Sequence, residues 1–412
     1  MSTTTTHERL RVVDLSMGWA GPLVGAMLTE MGAEVIKIED TRHFDWWRGS
    51  LSMAAPEEDP IERSAVFNTI NRGKLGVTLN LADPRGVEVL KRFAVTADVL
   101  IENYSAGVME RLGLSYQVLS ALNPRLVMIS MPSFGAEGPE RDARGYGNTV
   151  EAMAGVTGLT GYHDGGQPYT LSNALGDPVG GLNGMFAVMV ALHERERTGR
   201  GQWIELAQVE AAIPLMAEEI LDYQITGKIP PPRGNRHPRH APHGIYRCAG
   251  EDDWIAVGVE SEARWRALVG ALGLEKLARD PRFASAEARK RNEDALDEAL
   301  SHAFASREAE EIARRLIEAG VPAGQVNSAP AVMADEQIQA RGYFVPVDRA
   351  VVGTHLYPGA VARFSQTPLE ADRPAPLLGE HNGAVLREVL GMGDAEIKAL
   401  EGAGIIGTRP LG

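Results

Sequence analysis

What most constrains this chain is an alternation that fills its first third. Short apolar runs at 10–16 (LRVVDLS) and 34–39 (EVIKIE) have the look of strands buried on both faces. Between them Pro22 suits the first turn of a helix, 23–31 carries helical spacing, and Gly32 stops it. The pattern recurs as a helix over 84–95, a strand at 98–102, a helix at 115–122 and a strand at 126–131. Strands alternating with helices predict an α/β fold whose sheet is mostly parallel, with right-handed crossovers.

Further on, 179–198 reads as a long helix with a stripe of Leu182, Met185, Phe186, Met189, Val190 and His193. A strand at 203–206 and a helix at 209–223 follow. The stretch GKIPPPRGNRHPRHAPHG, from Gly227, is too rich in Pro, His and Arg for a regular element and reads as a linker. Beyond it, 245–248 and 254–259 form a two-stranded ribbon, and charge-rich helices run to about residue 319. Short strands return at 343–347 and 354–357, then helices at 382–390 and 394–400. The expected organisation is 1–226 and 339–412 as two parts of a large α/β domain, with 227–338 as linker and small α+β domain. No internal repeat is visible.

Charge and composition exclude several classes. With 41 Lys and Arg against 55 Asp and Glu, the formal net charge is −14. Such a surface argues against a general nucleic-acid or anionic-membrane binder, while leaving room for a local basic groove around a phosphorylated small molecule. A single cysteine, Cys248, forbids an intrachain disulfide and reads as a small buried residue. The Thr-rich start, 1–9, lacks the apolar core of a signal peptide, and no run approaches the ~18 apolar residues of a membrane span. A cytoplasmic protein is expected.

Walker A, G-x-G-x-x-G, G-x-S-x-G and H-E-x-x-H signatures are all missing from the chain. His237, His240 and His243 invite a metal reading, but Pro238 and Pro242 forbid the helix that would gather them, and no metal is expected. The most informative stretch is Ala174-Leu175-Gly176-Asp177-Pro178-Val179-Gly180-Gly181-Leu182-Asn183-Gly184. Asp177 can be read as a helix N-cap before Pro178 at the first helical position. Three glycines, however, weaken the helix where it starts, by roughly 1 kcal/mol each in a helix interior, which suits close approach of backbone or ligand. The helix start also keeps a carboxylate ionised, so the capping Asp177 can at the same time be read as a nucleophile.

Several segments in order carry a family likeness: Asp14-Leu15-Ser16 leading to Ala20-Gly21-Pro22, then Gly32-Ala33-Glu34-Val35-Ile36-Lys37-Ile38-Glu39 and Asn71-Arg72-Gly73-Lys74. Ala97-Asp98-Val99-Leu100-Ile101-Glu102-Asn103-Tyr104, Glu110-Arg111-Leu112-Gly113, the Asp177 segment, 197–202 (RTGRGQ) and 375–382 (APLLGEHN) complete it. Taken together the chain resembles the class III CoA-transferases, the family of formyl-CoA transferase, carnitine CoA-transferase and the α-methylacyl-CoA racemases. The resemblance implies a Rossmann-like large domain built from both chain ends, an inserted small domain, and an interlocked homodimer. It also implies a coenzyme A thioester as co-substrate with no prosthetic group, and Asp177 as a nucleophile that passes through an acyl anhydride and an aspartyl-CoA thioester.

By the same resemblance Met17, Gly18, Trp19, Ala20, Leu79, Asn103, Tyr104, Arg111, Leu112 and Arg144 match CoA contacts. Tyr146, Gly180, Gly181, His237 and His240 become candidate oxyanion or substrate-site residues. Asp40 stands where many relatives have a basic residue, with Arg42 or Arg48 as a substitute, and Ala82 replaces a lysine of some relatives. Tyr146 stands where the racemase branch has its histidine, and a tyrosine, with pKa about 10, is a poor base at neutral pH. This favours a transferase over a racemase or isomerase. Gly147 replaces a glutamate of the formyl-CoA branch, which disfavours formyl-CoA/oxalate specificity. For the acceptor, Arg48, Arg233, His237 and His240 suggest a dicarboxylic acid such as succinate, whereas Trp46 and Trp47 suggest a bulky or aromatic one. A non-catalytic acyl-CoA-binding subunit, or a partnership with a second similar subunit, is the remaining alternative.

Overall fold

The computed structural model describes residues 9–49, 60–171 and 173–411; the start of the chain, apart from Arg9, lies outside them. Two units divide the chain: Met1–Val156, Thr170–Glu218 and Gln337–Gly412 form the first, Thr157–Tyr169 and Glu219–Glu336 the second.

In the first unit the strands are β1 (Arg11–Asp14), β2 (Glu34–Glu39), β3 (Leu75–Thr78), β4 (Val99–Glu102), β5 (Val127–Ser130) and β6 (Trp203–Glu205). They make one six-stranded sheet in the order β3-β2-β1-β4-β5-β6, every pair parallel. Helices α1 (Ala20–Glu30), α2 (Ala65–Ile70), α3 (Pro84–Thr96), α4 (Val108–Arg111) and α5 (Tyr116–Leu122) run between the first five strands. Then come α6 (Gly147–Met153), α8 (Gly176–Thr198) and α9 (Gln208–Ala212), whereas most residues of α7 (Val156–Leu159) and α10 (Ala217–Thr226) belong to the second unit.

Side-chain alternation along the strands builds two cores on opposite faces of this sheet. Val12, Val35, Val99, Ile101, Val127 and Ile129 pack under α1 and α8, around Val24, Leu28, Met185 and Val188. Val13, Ile36, Ile38, Val77, Leu100 and Met128 pack on the other face, with Leu90 and Phe93 of α3. Leu386, Leu400 and Ile405, from the far end of the chain, join that second core. Asn382 accepts a hydrogen bond from Thr78 N at 2.8 Å, fastening this segment to β3.

The second unit holds β7 (His243–Arg247) and β8 (Trp254–Gly258) among its elements. It also contains helices α11 (Glu262–Leu272), α12 (Glu275–Arg279), α13 (Ala286–Arg291), α14 (Glu293–Phe304) and α15 (Ala309–Glu318), and strand β9 (Ala323–Gln325). The three strands form an antiparallel sheet. Cys248 is buried in this core, and burial, with Asp253 and Glu308 nearby, pushes its thiol up to about 11, so it stays protonated. An antiparallel pair, β10 (Phe344–Arg349) and β11 (Gly353–Pro358), belongs to the first unit.

Three expectations about elements change. The expected helix over 209–223 is two helices, α9 and α10, joined by a 3₁₀ turn at Ile213–Met216 where Pro214 removes a backbone donor. Helix α8 starts at Gly176 rather than Val179, so Asp177 is inside the first turn and Leu175 takes the cap position. The segment 157–169 joins the second unit, where Tyr169 N donates to Thr160 O and Gly234 N to Gly161 O. Among the described residues no helix is long and apolar enough to cross a membrane.

Candidate active site

The strand order reverses between β1 and β4, and in open parallel sheets the crevice at the carboxyl ends of such strands is where ligands bind. Here Asn103, just after β4, clasps the loop after β1: its Oδ1 accepts from Met17 N and its Nδ2 donates to Met17 O, both at 2.8 Å. Asp45 braces the same loop by accepting from Gly18 N at 3.1 Å, and it caps the turn that carries Trp46 and Trp47 by accepting from Trp47 N. Lys37, buried within β2, pairs with Asp45 at 3.0 Å. Gly18 has φ +75, and a Cβ there would lie 2.6 Å from the Trp46 ring. Thus the loop geometry and the aromatic wall depend on one another.

Above this loop lies a cavity of about 650 Å3, within the range that holds small-molecule ligands. Its wall includes Trp19, Trp46, Trp47, Tyr104 and Tyr146, and the Trp46 and Tyr146 rings meet edge to face at 5.9 Å. Asn103, Asn148, Asn173 and Gln208 supply amides; Arg144 supplies a cation and Asp177 a carboxylate.

The packing of α8 on α1 brings Asp177 there. A Cβ on Gly181 would meet Ala20 O and Leu23 at 2.8 Å, and one on Gly184 would meet Met131 and Val24 at 3.0 and 3.1 Å. These glycines let the two helices approach closely, so the start of α8 lies over the start of α1. Gly176 fits likewise against Val150 and Gly147 of α6. The backbone N–H groups of Ala20 and Gly147, the first residues of α1 and α6, consequently lie near the Asp177 carboxylate and favour its charged form. Gly147 is obligatory in this arrangement, since a Cβ at 147 would stand 2.2 Å from Asp177 Oδ2. Immediately upstream, Ala174 holds φ +44, a left-handed conformation costly for a residue with a side chain.

A helix start by itself favours an ionised Asp177. In the structure burial raises its pKa from 3.8 to about 6, against the downward pull of the Ala20 and Gly147 N–H groups and with an upward push from Glu151. Desolvation therefore outweighs the helix ends, and Asp177 is mostly ionised at neutral pH but weakly held in that state.

Other expected site residues sort into three groups. Met17, Trp19, Asn103, Tyr104, Arg144 and Tyr146 line the cavity with Asp177. Gly18 and Ala20 support it from beneath, as described. Arg111 is exposed, with its guanidinium beside Gly107, which lines a smaller second cavity that shares Tyr104, Ser105 and Pro132 with the first. Leu112 packs against the sheet core, and Leu79 is buried within it. Gly180 is buried beside Gln208 and Gly181 serves the α1 crossing, so neither is among the lining residues. The N–H groups facing the carboxylate come from Ala20 and Gly147 instead.

Arg48 corrects the expectation of a carboxylate-binding arginine. Its side chain is fully buried, Nε and Nη2 donating to Glu39 at 2.8 Å and Nη1 donating to Glu62 at 2.8 Å. Arg233, His237 and His240 lie in the second unit. His237 stacks on His240 with ring centres 4.4 Å apart, and its Nδ1 accepts from the backbone N–H of Arg239 and His240. Burial and the neighbouring His240, His243, Arg239 and Lys290 lower its pKa, which disfavours the cation a carboxylate would need. Among the described residues no group of three or more His, Cys, Asp or Glu is arranged to hold a metal. The sequence reading missed Gly147 as a required glycine and Glu151 as a neighbour of Asp177; neither belongs to a local motif.

Residues 8–382 match the model of CoA-transferase family III. The chain belongs to that family. It is 32% identical over 97% of its length to a succinyl-CoA–D-citramalate CoA-transferase of Chloroflexus aurantiacus, covering 98% of that protein. To a succinate–glutarate CoA-transferase of Agrobacterium fabrum it is 34% identical, over 92% of this chain and 94% of the relative. Among solved structures a CAIB/BAIF family protein from Brucella suis superposes with a TM-score of 0.84 at 34% identity, covering 92% of this chain and 98% of that one. The protein is thus an enzyme, a CoA-transferase that uses CoA thioesters as co-substrates.

Proposed function

We propose that this enzyme moves CoA from an acyl-CoA to a short dicarboxylic acid through covalent intermediates on Asp177. The observation that carries the reading is the Asp177 carboxylate in the wall of the cavity, at the start of α8 where it packs on α1 and α6. An Asp177 oxygen attacks the thioester carbonyl, the C–S bond breaks, and CoA leaves as thiolate while an acyl-aspartyl anhydride forms. The thiolate then attacks the aspartyl carbonyl carbon, releasing the donor acid as carboxylate and leaving an aspartyl-CoA thioester. The acceptor carboxylate attacks that thioester and expels the thiolate. Attack of the thiolate on the acceptor's acyl carbonyl gives the new acyl-CoA and restores Asp177.

Attack on the aspartyl carbon drives negative charge onto an Asp177 oxygen, and two N–H donors already face that group. Water must be kept from the anhydride, which it would hydrolyse. Met17, Trp19, Asn103 and Tyr104 accompany the pantetheine arm, and Arg144 faces a phosphate or the distal carboxylate. A dicarboxylic acceptor accords with the acids in the relatives' names, succinate, glutarate and D-citramalate, each with two carboxylates.

The test is mass-spectrometric exchange of succinyl-CoA against C3 to C6 dicarboxylates and, separately, aromatic acids, followed by hydroxylamine trapping. Exchange that requires the free acid, with a hydroxamate on the peptide containing Asp177, is the expected result. Exchange confined to aromatic acids would replace the acceptor class, and a trapped adduct on any other residue would remove Asp177 from the mechanism.

The same proposal includes a second copy of the chain. On α8, Leu182, Phe186, Met189 and Val190 are 54%, 71%, 41% and 50% exposed, an apolar stripe at helical spacing. A homodimer covers this stripe. The expected result is a particle of twice the 44.4 kDa chain by light scattering, shifted toward monomer in Phe186→Glu. A variant that stays dimeric places the interface elsewhere.

A further inference from the structure

The reaction scheme leaves one group unused. Glu151 lies on α6, one helical turn beyond Gly147 and on the same face. It is 1% exposed. Its Oε2 accepts a long hydrogen bond, 3.4 Å, from Leu171 N, and its Oε1 has no partner among the described residues. No cationic side chain is paired with it among the described residues, in contrast to buried Glu39 and Glu62, which bind arginine, and Glu293, which binds Lys290. Asp177, against whose carboxylate Gly147 is set, is the ionisable neighbour across the α6–α8 packing.

We propose that Glu151 is a positioning residue for the transfer reaction: its buried carboxylate stands behind Asp177 and repels the charge that Asp177 gives up on acylation. The inference rests on the covalent role of Asp177 argued above. In the free enzyme two carboxylates share a poorly solvated site. When Asp177 attacks the thioester its negative charge departs with the CoA thiolate, and both acyl states at Asp177 are neutral. Like-charge repulsion is thus present before acylation and relieved after it, which favours the covalent intermediates without Glu151 touching substrate. The raised pKa of Asp177, to which Glu151 contributes after burial, agrees with this. Other titratable groups near the site are Tyr104, Arg144 and Tyr146 on the cavity wall and the exposed Glu210 of α9.

The test pairs kinetics with a direct titration. In Glu151→Gln, which keeps the shape and removes the charge, the acid limb of kcat/KM moves down by about one pH unit. The value of kcat at pH 7.5 falls up to about tenfold, while KM for the acyl-CoA changes less than about twofold. Glu151→Asp, which keeps the charge, lies between wild type and Gln in both. A purely structural role lowers activity or melting temperature without moving the acid limb, and that result overturns the proposal. Carboxyl-labelled aspartate NMR on the wild-type protein, with the Asp177 signal identified by its loss in Asp177→Asn, gives a reading independent of turnover. A midpoint near 6 that falls in Glu151→Gln supports the proposal; a wild-type midpoint in the ordinary aspartate range overturns it even where the Gln variant does not fold. Retained exchange in Asp177→Asn refutes instead the covalent role of Asp177, so the two failures are distinguishable.

Discussion

Asp177→Ala is expected to lose CoA exchange by on the order of a thousandfold or more, because no other described lining side chain of the cavity carries a carboxylate to take the acyl group. CoA binding should survive, since Met17, Trp19, Asn103, Tyr104 and Arg144 remain in place. Loss of activity should not be loss of fold. The carboxyl's pKa is raised from 3.8 to about 6 in the folded state, so Asp177 favours folding most in acid, and that contribution disappears as pH rises through about 6. At neutral pH its charge burdens the fold by on the order of 3 kcal/mol at most, the free energy of that pKa change. The variant's melting temperature should therefore gain on wild type between pH 4 and pH 7. Mass-spectrometric exchange, CoA titration and thermal melts across that range check all three statements, and unchanged turnover would falsify the nucleophile assignment.

Arg48→Ala is expected to be the most destabilising single change away from the site. The guanidinium is enclosed by Glu39 and Glu62, sits 3.7 Å over the Phe67 ring, and donates to Pro376 O at 3.1 Å. Arg349 reaches the same Glu62 at 2.7 Å, so the network ties β10 to the first part of the chain. Burial pushes the Glu39 carboxyl up, and Arg48, with Lys37 and the Asp45 N–H, more than reverses this, leaving its pKa below the usual value. Removing Arg48 strands buried carboxylate charge, at about 3–5 kcal/mol. That corresponds to a fall of roughly 10 °C in melting temperature at 2–4 °C per kcal/mol. Acceptor KM, measured where the variant is still folded, should remain at the wild-type value. A normal melting curve with a raised acceptor KM would restore the carboxylate-binding role that residue type alone suggested.

The difference between Asp177 and Arg48 shows what was legible in the sequence. Asp177 was visible because its signal is local: an acidic residue and three glycines crowd one helix start. The β1 and β4 segments and the loop after β1 were visible for the same reason. Arg48 was misread because its partners, Glu39, Glu62 and Pro376, are scattered along the chain, and residue type does not separate a buried ion pair from a ligand site. Strand β3 gives a weaker local signal because Gly76 interrupts its apolar run. That glycine answers to a tertiary requirement, as its Cβ would lie 2.8 Å from Pro376 and Leu377 O. Glu151 gave no local signal at all; its meaning comes from Asp177 and from an unpartnered oxygen.

The amino-acid order by itself determined the α/β alternation, the doubly buried parallel strands and the placing of an aspartate at the head of a glycine-bearing helix. These follow from periodicity and from the conformational preferences of neighbouring residues, which any short window of chain contains. Only the tertiary structure decided that Gly181 and Gly184 serve the crossing of α8 over α1, that Ala20 and Gly147 supply the N–H groups at Asp177, and that burial outweighs them. Those outcomes depend on distances between elements remote in sequence and on how much water the assembled fold removes, and neither quantity exists until the helices have packed.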